Sequence, residues 1–182
     1  PRTVANTIID LKKRIGSKLL ILVLEVAVYQ GTSVPSADVG GQAFNYFVPI
    51  INLADAYIDF YQPQAYNNWY GGLAGGSTTY FKEVYLNWRN LQSSIAWSSP
   101  IPNFKGVSGD KLLMGVLAST SAGGAAYYAP PNNIIEFKTW IKRNNYPLKG
   151  FMMWDSNWDI LNQFAISKHV PQHLTDLILE IY

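Results

Sequence analysis

The 182-residue sequence predicts an α/β fold, and within that class a (β/α)8 TIM barrel. Two observations support this prediction: short apolar runs alternate with helix-like segments, and polar side chains follow the ends of the runs. Such alternation is typical of βαβ units, whose strands form a parallel sheet. The apolar runs are Lys18–Glu25, Tyr57–Tyr66, Lys111–Ala118 and Lys149–Trp154.

Each run has the composition of a strand. The first and third runs are almost continuously apolar, as in parallel strands that are covered on both faces. The second run contains Tyr57, Ile58, Phe60 and Tyr61, which are residue types that fit a pleated sheet. The fourth run is short and apolar up to Trp154.

The spacing of apolar residues predicts helices before the first strand and after each strand. The first helix has basic residues in its last turn and stops at Gly16, and the fourth begins at Pro131 and ends on basic residues. Proline is favoured at the start of a helix, and basic residues and glycine are favoured at its end. The predicted helices are Val4–Ile15, Ala43–Ala54, Thr78–Leu91, Pro131–Arg143 and Pro171–Tyr182.

A doubly wound sheet would give the same alternation, but the polar groups favour the barrel because they all follow strand ends. Barrel active sites are built on that face. A barrel needs eight strands, and four strands alone would leave two exposed parallel edges. We therefore expect residues 1–182 to form the C-terminal half of a larger catalytic barrel. The polar groups are Glu25, Gln64–Asn68, Ser119–Thr120 and Trp154–Asp155.

The composition limits the function. The formal net charge of +2 is too near neutral to favour nucleic acid or an anionic membrane surface as a partner. The absence of cysteine excludes disulfides, thiolate metal sites and cysteine nucleophiles. The apolar run Leu19–Leu24 is far too short to span a bilayer. No cofactor is expected.

Three other patterns favour structural roles. Glycine-rich residues 71–77 lack the lysine of a P-loop, so they predict a rim loop and not a phosphate site. His169 and His173 have a metal-like spacing, but no third ligand is adjacent, so no metal is expected. Asp55 and Asp59 precede the end of the second strand, which is the wrong position for catalysis in a barrel.

The most informative polar cluster follows the second strand. Gln64, Tyr66, Asn67, Asn68 and Trp69 offer neutral hydrogen-bonding groups and flat rings where the strand should stop. Such a cluster suits a sugar. It suits a phosphate poorly because it carries no cation.

Four segments carry a family resemblance. The segment Gln64–Asn68 reads Gln-Ala-Tyr-Asn-Asn, and Gly150–Asp159 reads Gly-Phe-Met-Met-Trp-Asp-Ser-Asn-Trp-Asp. They are similar to the sixth-strand motif Gln-x-Tyr-Asn-Asn and the eighth-strand motif Gly-x-Met-x-Trp-x-x-Asn-Trp-Asp of family-18 glycoside hydrolases, and within them of bacterial chitinases. Leu20–Glu25 resembles the fifth strand, and Leu113–Ala118 resembles the seventh, although Leu117 stands where the family usually has proline. The chain thus resembles roughly strands five to eight of that barrel.

The resemblance implies hydrolysis of β-1,4 N-acetylglucosamine linkages in chitin by a substrate-assisted retaining mechanism. Tyr66 would donate to the N-acetyl oxygen of the reacting sugar, and Trp154 would form the floor beneath it. Gln64 and Asn67 would position polar groups of the same sugar, and Glu25 is a further candidate contact.

The general-acid glutamate of the family belongs to an Asp-rich motif on the fourth strand, which has no match in this sequence. We therefore expect the acid to come from the other half of the barrel, on the same or a separate chain, and this chain alone to be inactive. A polymeric substrate implies secretion. Asp155 and Asp159 are expected to cap the following helix.

Two alternatives remain. A non-catalytic, lectin-like relative would bind chitin or another glycan and lack the acid. An aldolase-type or phosphate-binding barrel would place a lysine at a strand end, and it is disfavoured because Lys18, Lys111 and Lys149 lie at strand beginnings.

Overall fold

The computed structural model describes residues 1–24, 45–67, 73–93 and 100–169. Helices and strands alternate along this part of the chain. The helices are α1 (Arg2–Ile15), α2 (Phe47–Ala54), α3 (Thr78–Trp88), α4 (Pro131–Arg143) and α5 (Ser156–Leu161). The strands are β1 (Ile21–Leu24), β2 (Phe60–Pro63), β3 (Leu113–Leu117) and β4 (Gly150–Trp154). Single 3₁₀ turns occur at Asp55–Tyr57, Gly109–Lys111, Ala125–Tyr127 and Ser167–His169.

The strands lie side by side in chain order and run in the same direction. β1 pairs with β2 in parallel from Ile21 opposite Phe60, and β3 pairs with β4 in parallel over all five residues of each strand. Two isolated parallel bridges, Tyr61 to Leu112 and Gln64 to Gly115, connect β2 to β3. The four strands thus form two two-stranded parallel sheets, which these bridges join.

Helices α1 to α4 overlap the predicted helices, whereas α5 was not among them and α2 begins only at Phe47. α4 has the predicted bounds, and α1 ends at Ile15 before Gly16, whose φ is 62°. α3 stops at Trp88, three residues before the predicted end. The predicted helix Pro171–Tyr182 lies outside the described residues. None of the described helices is long and apolar enough to cross a membrane.

An aromatic core joins α3, α4 and β4. The ring of Phe137 on α4 packs against Phe81 and Tyr85 of α3, with centroid distances of 5.7 and 6.2 Å. Its other neighbours are Trp140 at 5.9 Å and Phe151 of β4 at 6.1 Å. Large rings dominate core energetics, so this cluster fixes both helices against the outer face of β4.

The prediction that β1 is covered on both faces is wrong for this chain. Ile21 and Val23 of β1 remain 40% and 45% exposed, while all five residues of β3 are buried. The difference follows from position, because β3 lies between two strands and β1 pairs only with β2 among the described residues. The apolar side chains on one face of β1 therefore stay partly exposed to solvent in the described chain.

Two aspartates make hydrogen bonds and ion pairs near the beginnings of the strands. Asp59, just before β2, accepts hydrogen bonds from the Lys12 ammonium at 2.6 Å and from the Leu20 amide at 2.7 Å. Asp55 accepts from the Tyr61 hydroxyl at 2.7 Å and pairs with Lys111 at 3.3 Å. Both carboxylates are thus occupied in holding the fold at the end opposite the polar cluster.

Candidate functional site

The carboxyl ends of β2, β3 and β4 meet on one face. The bridge between Gln64 and Gly115 aligns the end of β2 with β3, and the Ala118 amide donates to the Trp154 carbonyl at 2.8 Å. Gln64, Tyr66 and Trp154, predicted as site residues, therefore lie at the same end of adjacent strands. In barrels this is the face that carries the active site.

Tyr66 is the most deeply placed polar side chain of this face. It is only 6% exposed, and its ring lies over Gly115, where an added Cβ would stand 3.1 Å from its Cε1 atom. Burial raises the pKa of Tyr66, and this outweighs the lowering of the pKa by a side-chain hydrogen bond with Gln64. The phenol therefore keeps its proton at neutral pH.

The hydroxyl of Tyr66 can both donate and accept hydrogen bonds, and it stands beside Gln64 at the end of β2. Because the phenol is neutral, it offers this face a hydrogen-bonding group without a charge.

Trp154 supplies a flat apolar surface on the same face. Its side chain is 50% exposed although it ends a strand whose first residues are buried. Its carbonyl is held by the Ala118 amide, and the Ala118 carbonyl accepts from the Asn162 amide at 2.9 Å. The peptide bond between Trp154 and Asp155 is cis. The backbone of Trp154 is thus held at the end of β4, and its indole has an accessible surface.

Asn67 connects two loops of this face. Its backbone adopts a left-handed conformation with φ of 53°, and its Oδ1 accepts from the Gly124 amide at 2.7 Å. Asn67 therefore fixes the loop after β3 relative to the end of β2. Its side-chain oxygen is used by the protein, and its amide nitrogen is the part that remains for a ligand.

Two predicted residues are outside the part that the structure describes. Glu25, which follows β1, and Asn68, which follows Asn67, both fall there. Their roles remain predictions from the sequence.

The two aspartates that follow β4 have different roles. Asp155 caps α5 as predicted, because its carboxylate accepts from the Asn157 and Trp158 amides. The same prediction is wrong for Asp159, which lies inside α5 and is 1% exposed. Its Oδ1 accepts from the Ile166 amide at 3.0 Å, so it closes the turn that follows the helix. One turn of helix moves its side chain away from the helix start and into the core.

The remaining weak patterns carry no chemistry in the described residues. No group of His, Asp or Glu side chains there could hold a metal ion, and His173 is outside that part of the chain. A groove of about 460 Å³ lies between α4 and the beginning of β4. It is lined by Lys142, Lys149 and Phe151 and stands at the far end of β4 from Trp154.

The structure adds residues to this face that the sequence did not single out for it. Gly115 leaves room for the Tyr66 ring, and Asn162 holds the end of β3. Gly115 stands inside an apolar strand, and this was the sequence signal that could have indicated that another group packs closely against the strand backbone.

Comparisons with known proteins locate the fold. No protein-family model matches the chain. A curated chitinase from Enterococcus faecalis is 23% identical over 130 residues, which cover 66% of this chain and 35% of that protein. The crystal structure of a family GH18 chitinase from Chromobacterium violaceum has a TM-score of 0.70 at 22% identity, covering 92% of this chain and 48% of that one.

A second kind of protein shares the fold. The crystal structure of a xylanase and α-amylase inhibitor protein from Scadoxus multiflorus has a TM-score of 0.53 at 20% identity, covering 92% of this chain and 50% of that one. The chain thus spans about a third of the curated relative and about half of the solved chains. It has a partial family-18 chitinase-like fold, of the TIM-barrel type.

Proposed function

We propose that this chain is the C-terminal half of a chitinase-like barrel, supplying strands five to eight, and that it binds N-acetylglucosamine units of chitin. The observation that carries the proposal is the buried phenol of Tyr66, which lies beside Gln64 on the same face as the half-exposed ring of Trp154. A fixed neutral donor beside an apolar ring matches the polar and apolar surfaces of a sugar. The likeness of the fold to family-18 chitinases supports the choice of this sugar.

In the complete barrel, the proposed reaction is substrate-assisted retaining hydrolysis. The N-acetyl oxygen of the substrate attacks the anomeric carbon while the glycosidic oxygen takes a proton from a glutamate of the other half-barrel. Positive charge develops on the ring that forms, so a neutral partner is preferable to a cation. Tyr66 is suited to donate to the N-acetyl oxygen and orient it, since its buried phenol is neutral and carries an O–H donor.

The other predicted residues hold the same sugar. Trp154 provides the floor under its apolar face, because stacking on a ring fixes orientation as well as burying area. The amide nitrogen of Asn67 is available to a sugar oxygen, and Glu25 is a further contact that the sequence predicts. The polymeric substrate makes an extracellular location part of the proposal.

A second candidate is a non-catalytic glycan-binding protein. The similarity of the fold to xylanase and α-amylase inhibitor proteins favours it, because those structures are named as inhibitors. The two candidates differ in one residue of the other half-barrel. A glutamate at the end of its fourth strand supports the hydrolase, and glutamine or leucine there supports the binder.

The test of the proposed function is the Tyr66→Phe variant of the full-length protein. Losing the donor that orients the N-acetyl oxygen for attack should lower kcat on a chitin oligomer by roughly 10² or more. Turnover within threefold of the unmodified protein would remove Tyr66 from the mechanism.

Tyr61→Phe is the matched control for this experiment. Tyr61 is also a buried phenol, and burial raises its pKa well above the usual value. Its hydroxyl donates to Asp55 near the beginning of β2, at the opposite end from Tyr66. Removing it should lower stability and leave kcat of the folded protein unchanged.

A further inference from the structure

A second phenol is fixed at the rim of the candidate site. Tyr127 lies in the loop after β3, and its ring stands between two glycines. A Cβ added to Gly75 would lie 2.4 Å from its Cδ1 atom, and one added to Gly124 would lie 2.8 Å from its Cδ2 atom. Glycines of two different loops therefore pack closely against opposite edges of the ring.

The hydroxyl of Tyr127 differs from those of other tyrosines in the structure. The hydroxyls of Tyr61 and Tyr85 donate to Asp55 and to the Pro147 carbonyl. The Tyr127 hydroxyl makes no hydrogen bond to any of the described residues, although its side chain is half-buried. A phenol that is fixed by its ring and open at its oxygen can both donate and accept to a ligand. Little rotamer freedom is lost on binding, because the ring is already held.

The position of Tyr127 connects it to the sugar site. The amide of Gly124, which contacts the Tyr127 ring, donates to Asn67, and Asn67 directly follows Tyr66. Tyr127 packs against Gly75 in the loop after β2, whereas Trp154 lies at the end of β4. Gly124 and Asn67 thus stand between Tyr127 and Tyr66 in this series of contacts.

We propose that the Tyr127 hydroxyl binds a second sugar unit of the oligomer, next to the unit held by Tyr66 and Trp154. This inference rests on the proposed function. Its ligand is a polar oxygen or acetamido group of a β-linked glycan. The contact is a hydrogen bond made by the phenol oxygen.

The experiment compares the Tyr127→Phe variant of the full-length protein with the unmodified protein. Dissociation constants are measured for a disaccharide and a hexasaccharide of N-acetylglucosamine. The variant should bind the hexasaccharide about 3- to 10-fold more weakly, as expected for one neutral hydrogen bond, and the disaccharide within about twofold. In hydrolysis, KM for the hexasaccharide should rise by the same factor while kcat is unchanged.

The phenyl ring keeps its packing against both glycines, so the thermal unfolding midpoint of Tyr127→Phe should match that of the unmodified protein. Gly124→Ala provides an independent variant, because its methyl group would displace the ring of Tyr127. It should reproduce the selective loss of hexasaccharide binding.

The outcomes separate the two proposals. If the unmodified protein binds neither oligomer, the proposed function fails and this inference fails with it. If it binds both and Tyr127→Phe binds the hexasaccharide equally well, only the role of Tyr127 is refuted. An equal loss for disaccharide and hexasaccharide would also overturn the assignment to a second sugar unit.

Discussion

Gly115→Ala should disturb the candidate site from inside β3. An added Cβ would lie 2.8 Å from the Pro63 carbonyl oxygen and 3.1 Å from the Tyr66 ring. The carbonyl belongs to β2, so it cannot turn aside as the end of a long side chain could. The methyl group must therefore push the ends of β2 and β3 apart or displace the ring of Tyr66.

Two opposing effects set the magnitude. Replacing glycine by alanine inside a strand gains about 0.5–1 kcal/mol, because the unfolded chain loses freedom. Overpacking a well-filled site costs about 1–3 kcal/mol. The contact with Pro63 is shorter than real Cβ contacts, so the cost should dominate. We expect a net loss of about 1 kcal/mol in the free energy of unfolding.

The assay is urea-induced unfolding combined with a binding titration of an N-acetylglucosamine oligomer. Displacement of Tyr66 should weaken binding by about tenfold, which corresponds to about 1.4 kcal/mol. An alanine variant that is as stable as the unmodified protein and binds equally well would refute the steric reasoning.

Gly16→Ala is the matched control. Gly16 follows α1, has φ of 62°, and an added Cβ would meet nothing within 4 Å. Alanine there should cost about 1 kcal/mol through its backbone conformation alone. Binding should be unchanged, so a loss of binding in both variants would show that lowered stability, and not the Tyr66 contact, is the cause.

Two further predictions concern the fold and the isolated chain. Asp59→Asn should lower the free energy of unfolding by about 1 kcal/mol at pH 7, a modest figure because the carboxylate paired with Lys12 is 29% exposed. Although burial opposes it, hydrogen bonds from Lys12 and the Leu20 amide hold the pKa of Asp59 below its usual 3.8. Its contribution is therefore present above that pH and is lost as the pH falls through the lower folded value. A difference between the two proteins that persists unchanged at pH 2 in urea titrations would contradict this. We also expect purified residues 1–182 to cleave no chitin oligomer, and turnover measured by release of reducing ends would refute the half-barrel proposal.

Most of the fold was predictable because its signals are local. The four apolar runs and the helix-end residues such as Gly16 and Pro131 indicate parallel strands between helices, and the structure confirms this order. Apolar composition alone could not show that β1 is half exposed, because burial depends on which strand lies beside it. Ile21 and Val23 have the same character as buried residues of β3 and differ from them only in position.

The positions of the candidate site residues were predictable to the level of strand ends, and their roles stay predictions. Gln64, Tyr66 and Trp154 were expected at strand ends, and the structure places them on one face. The burial of Tyr66 against Gly115 was not predictable, since it depends on how β2 packs beside β3. The role of Asp159 was misjudged because a carboxylate near a helix start usually caps that helix.

The sequence by itself determined the strands, the helices and the chemical character of their ends, because periodicity and turn residues act over a few neighbours. Only the tertiary structure decided which groups meet. Gly115 in β3 leaves room for the ring of Tyr66, which follows β2. The ring of Tyr127 packs against glycines from two loops. Such contacts join residues far apart in the chain, and their distances follow from how the strands and loops pack against each other.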